Sequence, residues 1–160
     1  MFGWLKSVPF SDPVLGELHR KGGAWRGEVA LGDVRAPLAL PGSRAAPDAL
    51  ALDAARRLPA EYPGWRRVIE AALFEHFAPY AETSAAASGG AAPAEQGAPR
   101  IARPDQVWQH TAVAFVAVVP FEGELAVEIG YQVAWDEDHT LGARLRNGRL
   151  IELNGSVVTP

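Results

Sequence analysis

Leu125-Ala126-Val127-Glu128-Ile129-Gly130-Tyr131-Gln132-Val133-Ala134-Trp135 alternates without a break between large apolar residues and small or polar ones. A two-residue period belongs to an extended strand, whose successive side chains point to opposite faces. The stretch predicts a half-buried strand with its odd-numbered residues inward. Upstream, Ala112 to Val119 is apolar at every position, the pattern of a central strand covered on both faces. Downstream, Leu141, Ala143 and Leu145 keep the odd phase, followed by Ile151 and Leu153. Parity then constrains the turns, because a slip of one residue turns every side chain to the wrong face. Pairing Trp135 with His139 leaves Asp136-Glu137-Asp138 as a loop and sets odd against odd, Val133 facing Leu141 and Tyr131 facing Ala143. At Asn147-Gly148 a two-residue turn would send Ile151 and Leu153 to the opposite face. A loop of Arg146-Asn147-Gly148, pairing Ala143 with Ile151 and Leu141 with Leu153, keeps them inward and is the expectation. The C-terminal third thus reads as a four-stranded antiparallel meander.

The N-terminal third reads as strands too. Val14 to Arg20 and Ala24 to Leu31 flank Lys21-Gly22-Gly23, a hairpin signal. Val34 to Leu40 is a third strand, and Pro37 inside it lacks a ladder donor, which places it at an edge. Between the two strand regions lie helical patterns. Pro47 and Asp48 open one that runs to Leu58, and Pro59 and Pro63 interrupt it. A second runs from Gly64 to Tyr80, with Trp65, Val68, Ile69, Ala72, Leu73, Phe77 and Tyr80 on one stripe. Residues 83–104 are low in complexity, rich in Ala, Gly, Ser and Pro, and predict a flexible loop, since little in them repays ordering. The expected architecture is a single α+β domain over residues 1–160. Its sheet is mostly antiparallel (an N-terminal hairpin plus third strand, then the C-terminal meander), with two central helices packed on one face.

Composition narrows the function classes. The chain has 160 residues and no cysteine, which excludes disulfides, thiolate metal sites and a cysteine nucleophile. A net charge of −4 provides no basic footprint for nucleic acid or an anionic membrane. No stretch is long and apolar enough to span a bilayer, and Met1 to Pro9 lacks the pattern of a signal peptide, so a cytoplasmic location is expected.

The densest polar cluster is Trp135-Asp136-Glu137-Asp138-His139. Asp136, Asp138 and His139 are the candidate metal ligands, oxygen donors with one imidazole, and a carboxylate beside a histidine suits acid–base work. The same residues also read as a solvated turn. His76 falls on the helical stripe, where a histidine reads either as catalytic or as a core-boundary residue with one hydrogen bond. Glu122, Glu124 and Glu128 read as solvated. No nucleophile elbow, phosphate loop or H-E-x-x-H pattern occurs, and no cofactor is implied. Among five tryptophans, Trp4 stands in the apolar segment Met1-Phe2-Gly3-Trp4-Leu5 and is the candidate interaction residue.

Leu15-Gly16-Glu17-Leu18 followed by Ala24-Trp25-Arg26-Gly27 resembles the opening hairpin, LGxL…WxG, of a family of uncharacterised bacterial domains of unknown function. Tyr131 to Gly142, with Asn147-Gly148, is similar to that family's closing hairpin, WDxEH…NG, except that Asp138 stands where glutamate is expected. The resemblance implies a bacterial origin, and some relatives occur near toxin–immunity loci. It carries no catalytic residues. Together these observations favour a non-catalytic binding or interaction module that engages another protein or self-associates. The alternatives are a metal-assisted enzyme using the Asp136–His139 hairpin and a structural homo-oligomer.

Overall fold

The computed structural model describes residues 6–87 and 98–160. Among them, eight strands form one sheet in chain order: β1 (Phe10–Asp12), β2 (Gly16–Lys21), β3 (Ala24–Leu31), β4 (Val34–Leu40), β5 (Thr111–Phe121), β6 (Glu124–Val133), β7 (Asp136–Arg146) and β8 (Arg149–Asn154). A helix, α1 (Ala49–Ala87), separates β4 from β5, and a short 3-10 helix, Pro104–His110, leads into β5. Neighbouring strands are antiparallel except β4 and β5, which run parallel through Leu38↔Val116 and Ala39↔Ala117. A parallel pair needs a long crossover, and α1 supplies it. The protein is α+β with a mostly antiparallel sheet, as the alternation predicts.

Several details differ from the sequence reading. The sheet has eight strands because Phe10–Asp12 adds β1 outside the N-terminal hairpin. The strand with Pro37 is interior, between β3 and β5. Its pairing with β5 begins only at Leu38, so the missing N–H falls just before the ladder. Residues 83–87 belong to α1, Ile101 is buried, and the Ala98 N–H donates to Ser84 Oγ at 3.1 Å, so the expected flexible loop is structured at both ends. The rest of that loop, 88–97, lies outside the described residues, as do Met1–Leu5 with Trp4.

The two expected helices are one helix of 39 residues that continues through Pro59, Pro63 and Pro79. Each interior proline removes a helix hydrogen bond and costs about 3 kcal/mol in isolation. Packing outweighs that cost. Ala51, Ala55, Leu58, Tyr62, Trp65, Ile69, Leu73 and Phe77 are all buried, at spacings of three and four residues that cross Pro59 and Pro63 without losing phase. Most helical stability in proteins comes from such a packed stripe rather than from propensity. Pro63 and Gly64 are exposed, turned away from the stripe. Asp48 caps the start, its Oδ1 accepting from the Ala51 N–H at 2.9 Å. Glycine in a helix interior is worth about 0.5–1 kcal/mol less than alanine, and a Cβ at Gly64 would meet nothing within 4 Å. Gly64→Ala is therefore expected to raise stability by about 0.5–1 kcal/mol in urea denaturation. A loss would mean that the helix is not regular at this point.

Two bulges reconcile the hairpins with parity. Asn147 and Gly148 both have positive φ, 51° and 73°, and form a two-residue turn that pairs Arg146 with Arg149 and Leu145 with Leu150. The expected three-residue loop is not formed. A register shift after Arg144 instead skips Ile151 and pairs Ala143 with Leu153. Ile151 is left exposed while Leu153 packs against the core. In the preceding hairpin Tyr131 faces Leu141 and Ile129 faces Ala143, two residues off the expected register. The turn is Ala134-Trp135, and Glu137, Asp138 and His139 form a bulge at the start of β7.

Both faces of the sheet are covered. α1 lies across one, meeting β3, β5, β6 and β8. On the other face Ala39, Phe115 and Ala117 form a second buried cluster, with Val157 packed against it. The C-terminal segment is tied down there: the Val157 N–H donates to Thr140 O at 2.9 Å, and Arg26 Nη1 donates to Pro160 O at 2.8 Å. No helix among the described residues is long and apolar enough to cross a membrane.

Candidate functional site

Two places gather chemistry. The first lies where α1 passes the β6–β7 turn. His76 and Tyr80, one helical turn apart, face Trp135, Asp136 and His139. The Trp135 indole N–H donates to His76 Nδ1 at 3.0 Å, and the Tyr80 hydroxyl donates to Asp136 Oδ2 at 2.7 Å. His139 Nδ1 lies 2.8 Å from Asp136 Oδ1. Both oxygens of Asp136 are thus engaged, and its side chain is only 9% exposed against 50% for His139. Burial pushes the Asp136 carboxyl up, but the hydrogen bonds to Tyr80 and His139 and the nearby imidazoles outweigh it and hold the group below the usual carboxylate range. The bond to Asp136, with burial, raises the Tyr80 phenol.

Of the predicted metal ligands, Asp136 and His139 come together and Asp138 stays in the exposed bulge. Among the described residues, no three histidine or carboxylate side chains converge in a way that could hold a metal. The sequence reading missed Tyr80 as a partner of this cluster, because the contact joins residues 56 positions apart. Its only signal was a phenol at the end of the buried stripe.

An indole N–H can only donate, so the bond to His76 requires an unprotonated Nδ1. Burial lowers the His76 pKa; Asp136 opposes the shift and His139 adds to it. A histidine whose folded pKa lies below its unfolded value contributes full stability above about pH 6.5 and loses it as pH falls through the folded pKa. Thermal melts are therefore expected to show falling stability from about pH 6.5 downward, with a smaller drop in His76→Gln, whose amide oxygen still accepts from Trp135. Equal slopes in the two proteins would contradict the assignment.

Two further carboxylates, Asp12 and Glu128, are buried and bonded within the fold. Asp12 Oδ1 accepts from the Val14 and Leu15 N–H groups at 2.9 Å, and its Oδ2 accepts from Arg56 Nε at 2.7 Å, which ties the β1–β2 turn to α1. Glu128, expected to be wet, is 6% exposed and accepts from Arg144 Nε at 2.6 Å, while the same guanidinium also binds Glu152. Glu122 and Glu124 are exposed as expected.

The second place is a groove of about 1190 Å³ between the N-terminal half of α1 and the end of the sheet where the β5–β6 and β7–β8 turns lie. Trp65, Val118, Leu125, Val127 and Leu145 supply its apolar floor. The helix wall carries Arg57, Ala60, Glu61 and Gly64, and the sheet wall Glu124, Arg146, Asn147 and Gly148. Its charged side chains all have ion-pair partners: Asp53 with Arg56 at 3.0 Å, Arg57 with Glu61 at 3.1 Å, and Arg146 with Glu124 at 3.3 Å. Gly64, lacking a side chain, leaves the helix wall open.

No curated protein and no solved structure matches the chain. The model of a protein family, described as Domain of unknown function (DUF6985), matches residues 14–158. That span runs from β2 through α1 to β8 and contains both the groove and the Asp136 cluster. On this match the chain belongs to the family Domain of unknown function (DUF6985).

Proposed function

We propose that the protein is a non-catalytic binding module and that the groove between α1 and the turn end of the sheet is its binding surface. The groove itself carries the reading. It is concave, its floor is apolar, and it exceeds the ~300–1,000 Å³ typical of small-molecule pockets, which suits a segment of another protein. The Asp136 cluster is read as a brace that fastens α1 to the β6–β7 turn, since both carboxylate oxygens are used within the fold.

The test uses Gly64→Trp, which fills the groove from an exposed helix position where a side chain has room. Wild-type and Gly64→Trp proteins of equal stability are immobilised and challenged with lysate of the host cells. A stoichiometric partner retained by the wild type and lost by the variant supports the reading. Partners bound equally by both would show that the groove is not the binding surface. The metal-assisted alternative separates cleanly, because binding only to the native state raises the melting temperature. Excess Mg²⁺ or Zn²⁺ is expected to leave it unchanged, whereas a rise abolished by Asp136→Asn would favour the metal.

A further inference from the structure

Trp65 is 8% exposed, yet its indole nitrogen makes no hydrogen bond among the described residues. Three other tryptophans find acceptors: Trp25 at Ser43 O, Trp108 at Glu70 Oε2 and Trp135 at His76 Nδ1, at 2.9, 2.7 and 3.0 Å. No buried side-chain nitrogen or oxygen among the described residues lacks a partner, so the Trp65 N–H must open to solvent. It does so at the groove: Trp65 and Gly148 both line it, and a Cβ built at Gly148 would stand 4.0 Å from Trp65 Nε1. Solvent meets this donor while the groove is open, so a ligand that displaces that solvent must bring an acceptor in its place. The groove therefore holds a fixed donor at its apolar floor.

We infer that the groove takes an uncharged, apolar peptide segment of a partner protein, with one main-chain carbonyl accepting from Trp65 Nε1. The inference rests on the binding-module reading and names its ligand class. Charge decides the class. Each charged side chain of the lining already has an opposite charge beside it, Asp53 with Arg56, Arg57 with Glu61 and Arg146 with Glu124, so the groove offers a charged ligand no unmatched counter-charge. An acyl chain would fit the floor but would leave the Trp65 donor and the polar rim without partners. A peptide satisfies all three, with apolar side chains on the floor, a carbonyl at the indole and the remaining backbone at the rim.

The experiment pans a random-peptide display library on the full chain and re-tests the enriched sequences as synthetic peptides with blocked termini. Binding is followed by the indole ¹H–¹⁵N signals, with the Trp65 signal identified by its loss in Trp65→Phe. The inference expects enriched peptides without charged residues that move the Trp65 signal downfield, lose binding in Gly64→Trp and bind Trp65→Phe roughly tenfold more weakly, the scale of one hydrogen bond. Thermal melts that show each variant folded at the assay temperature keep misfolding out of the comparison. Enriched peptides that are charged but still lose binding in Gly64→Trp would overturn the ligand class and leave the binding-module reading standing. Peptides that bind Gly64→Trp as well as the wild type would overturn both. A library that yields nothing while decanol shifts the Trp65 signal would overturn the peptide in favour of an acyl chain.

Discussion

Leu73→Ala is expected to lower the free energy of unfolding by about 2–5 kcal/mol, the range for deleting a fully buried leucine side chain. Leu73 is 0% exposed and sits between Ile69 and Phe77 on the stripe that holds α1 to the sheet. That stripe is what carries the helix through Pro59 and Pro63, so weakening it removes the term that outweighs their cost. Urea denaturation followed by far-ultraviolet circular dichroism measures the change. A loss below about 1 kcal/mol would mean that the leucine can be removed without leaving a cavity, and the packing account of the helix would be wrong.

The second large effect lies on the opposite face. A Cβ placed on Gly130 would fall 2.2 Å from Cε1 of Phe115, and Phe115 is 1% exposed at the centre of the second buried cluster. A close approach of ring to backbone therefore requires glycine here. Gly130→Ala is expected to destabilise by about 1–3 kcal/mol through overpacking. Phe115→Leu removes the colliding ring edge, so adding it to Gly130→Ala should cost less than adding it to the wild type. A coupling of roughly 0.5–3 kcal/mol in the double-mutant cycle is the expected result. Strict additivity would show that the ring and the glycine do not meet.

These two residues also show what the sequence could and could not convey. The alternation from Leu125 to Trp135 revealed the strand and one inward face, since Val127, Ile129, Tyr131, Val133 and Trp135 are all buried. It concealed that Glu128 and Gly130 are buried as well. Their cover comes from Arg144 and Phe115 on neighbouring strands, and a single strand's pattern does not include its neighbours. The continuity of α1 was legible in principle. Leu58, Tyr62 and Trp65 keep helical spacing across Pro59 and Pro63, but local proline preference points the other way, and tertiary packing decided the matter. The turn at Asn147-Gly148 followed its local chemistry, while the bulge after Arg144 restored Leu153 to the core. Parity alone could not choose between a longer loop and a bulge, since both return the strand to phase.

The candidate sites were legible to different degrees. Asp136 and His139 are close in sequence and meet in the fold, while His76 and Tyr80 come from α1 and complete the cluster only through the crossover. The groove had no signature in the sequence. It arises where the N-terminal half of α1 stands off the turn end of the sheet, and only an exposed glycine within the helix hints that a wall is being kept low.

The most direct test of the binding account needs no ligand. Solvent-exchange rates of the tryptophan indole protons, read from ¹H–¹⁵N spectra of the full chain, compare donors that are bonded inside the fold with the one that faces the groove. The account predicts slow exchange for Trp25, Trp108 and Trp135, whose acceptors lie within 3.0 Å, and markedly faster exchange for Trp65. A Trp65 proton as protected as the other three would mean that its donor is already satisfied, and the groove would lose the feature that marks it as a binding site.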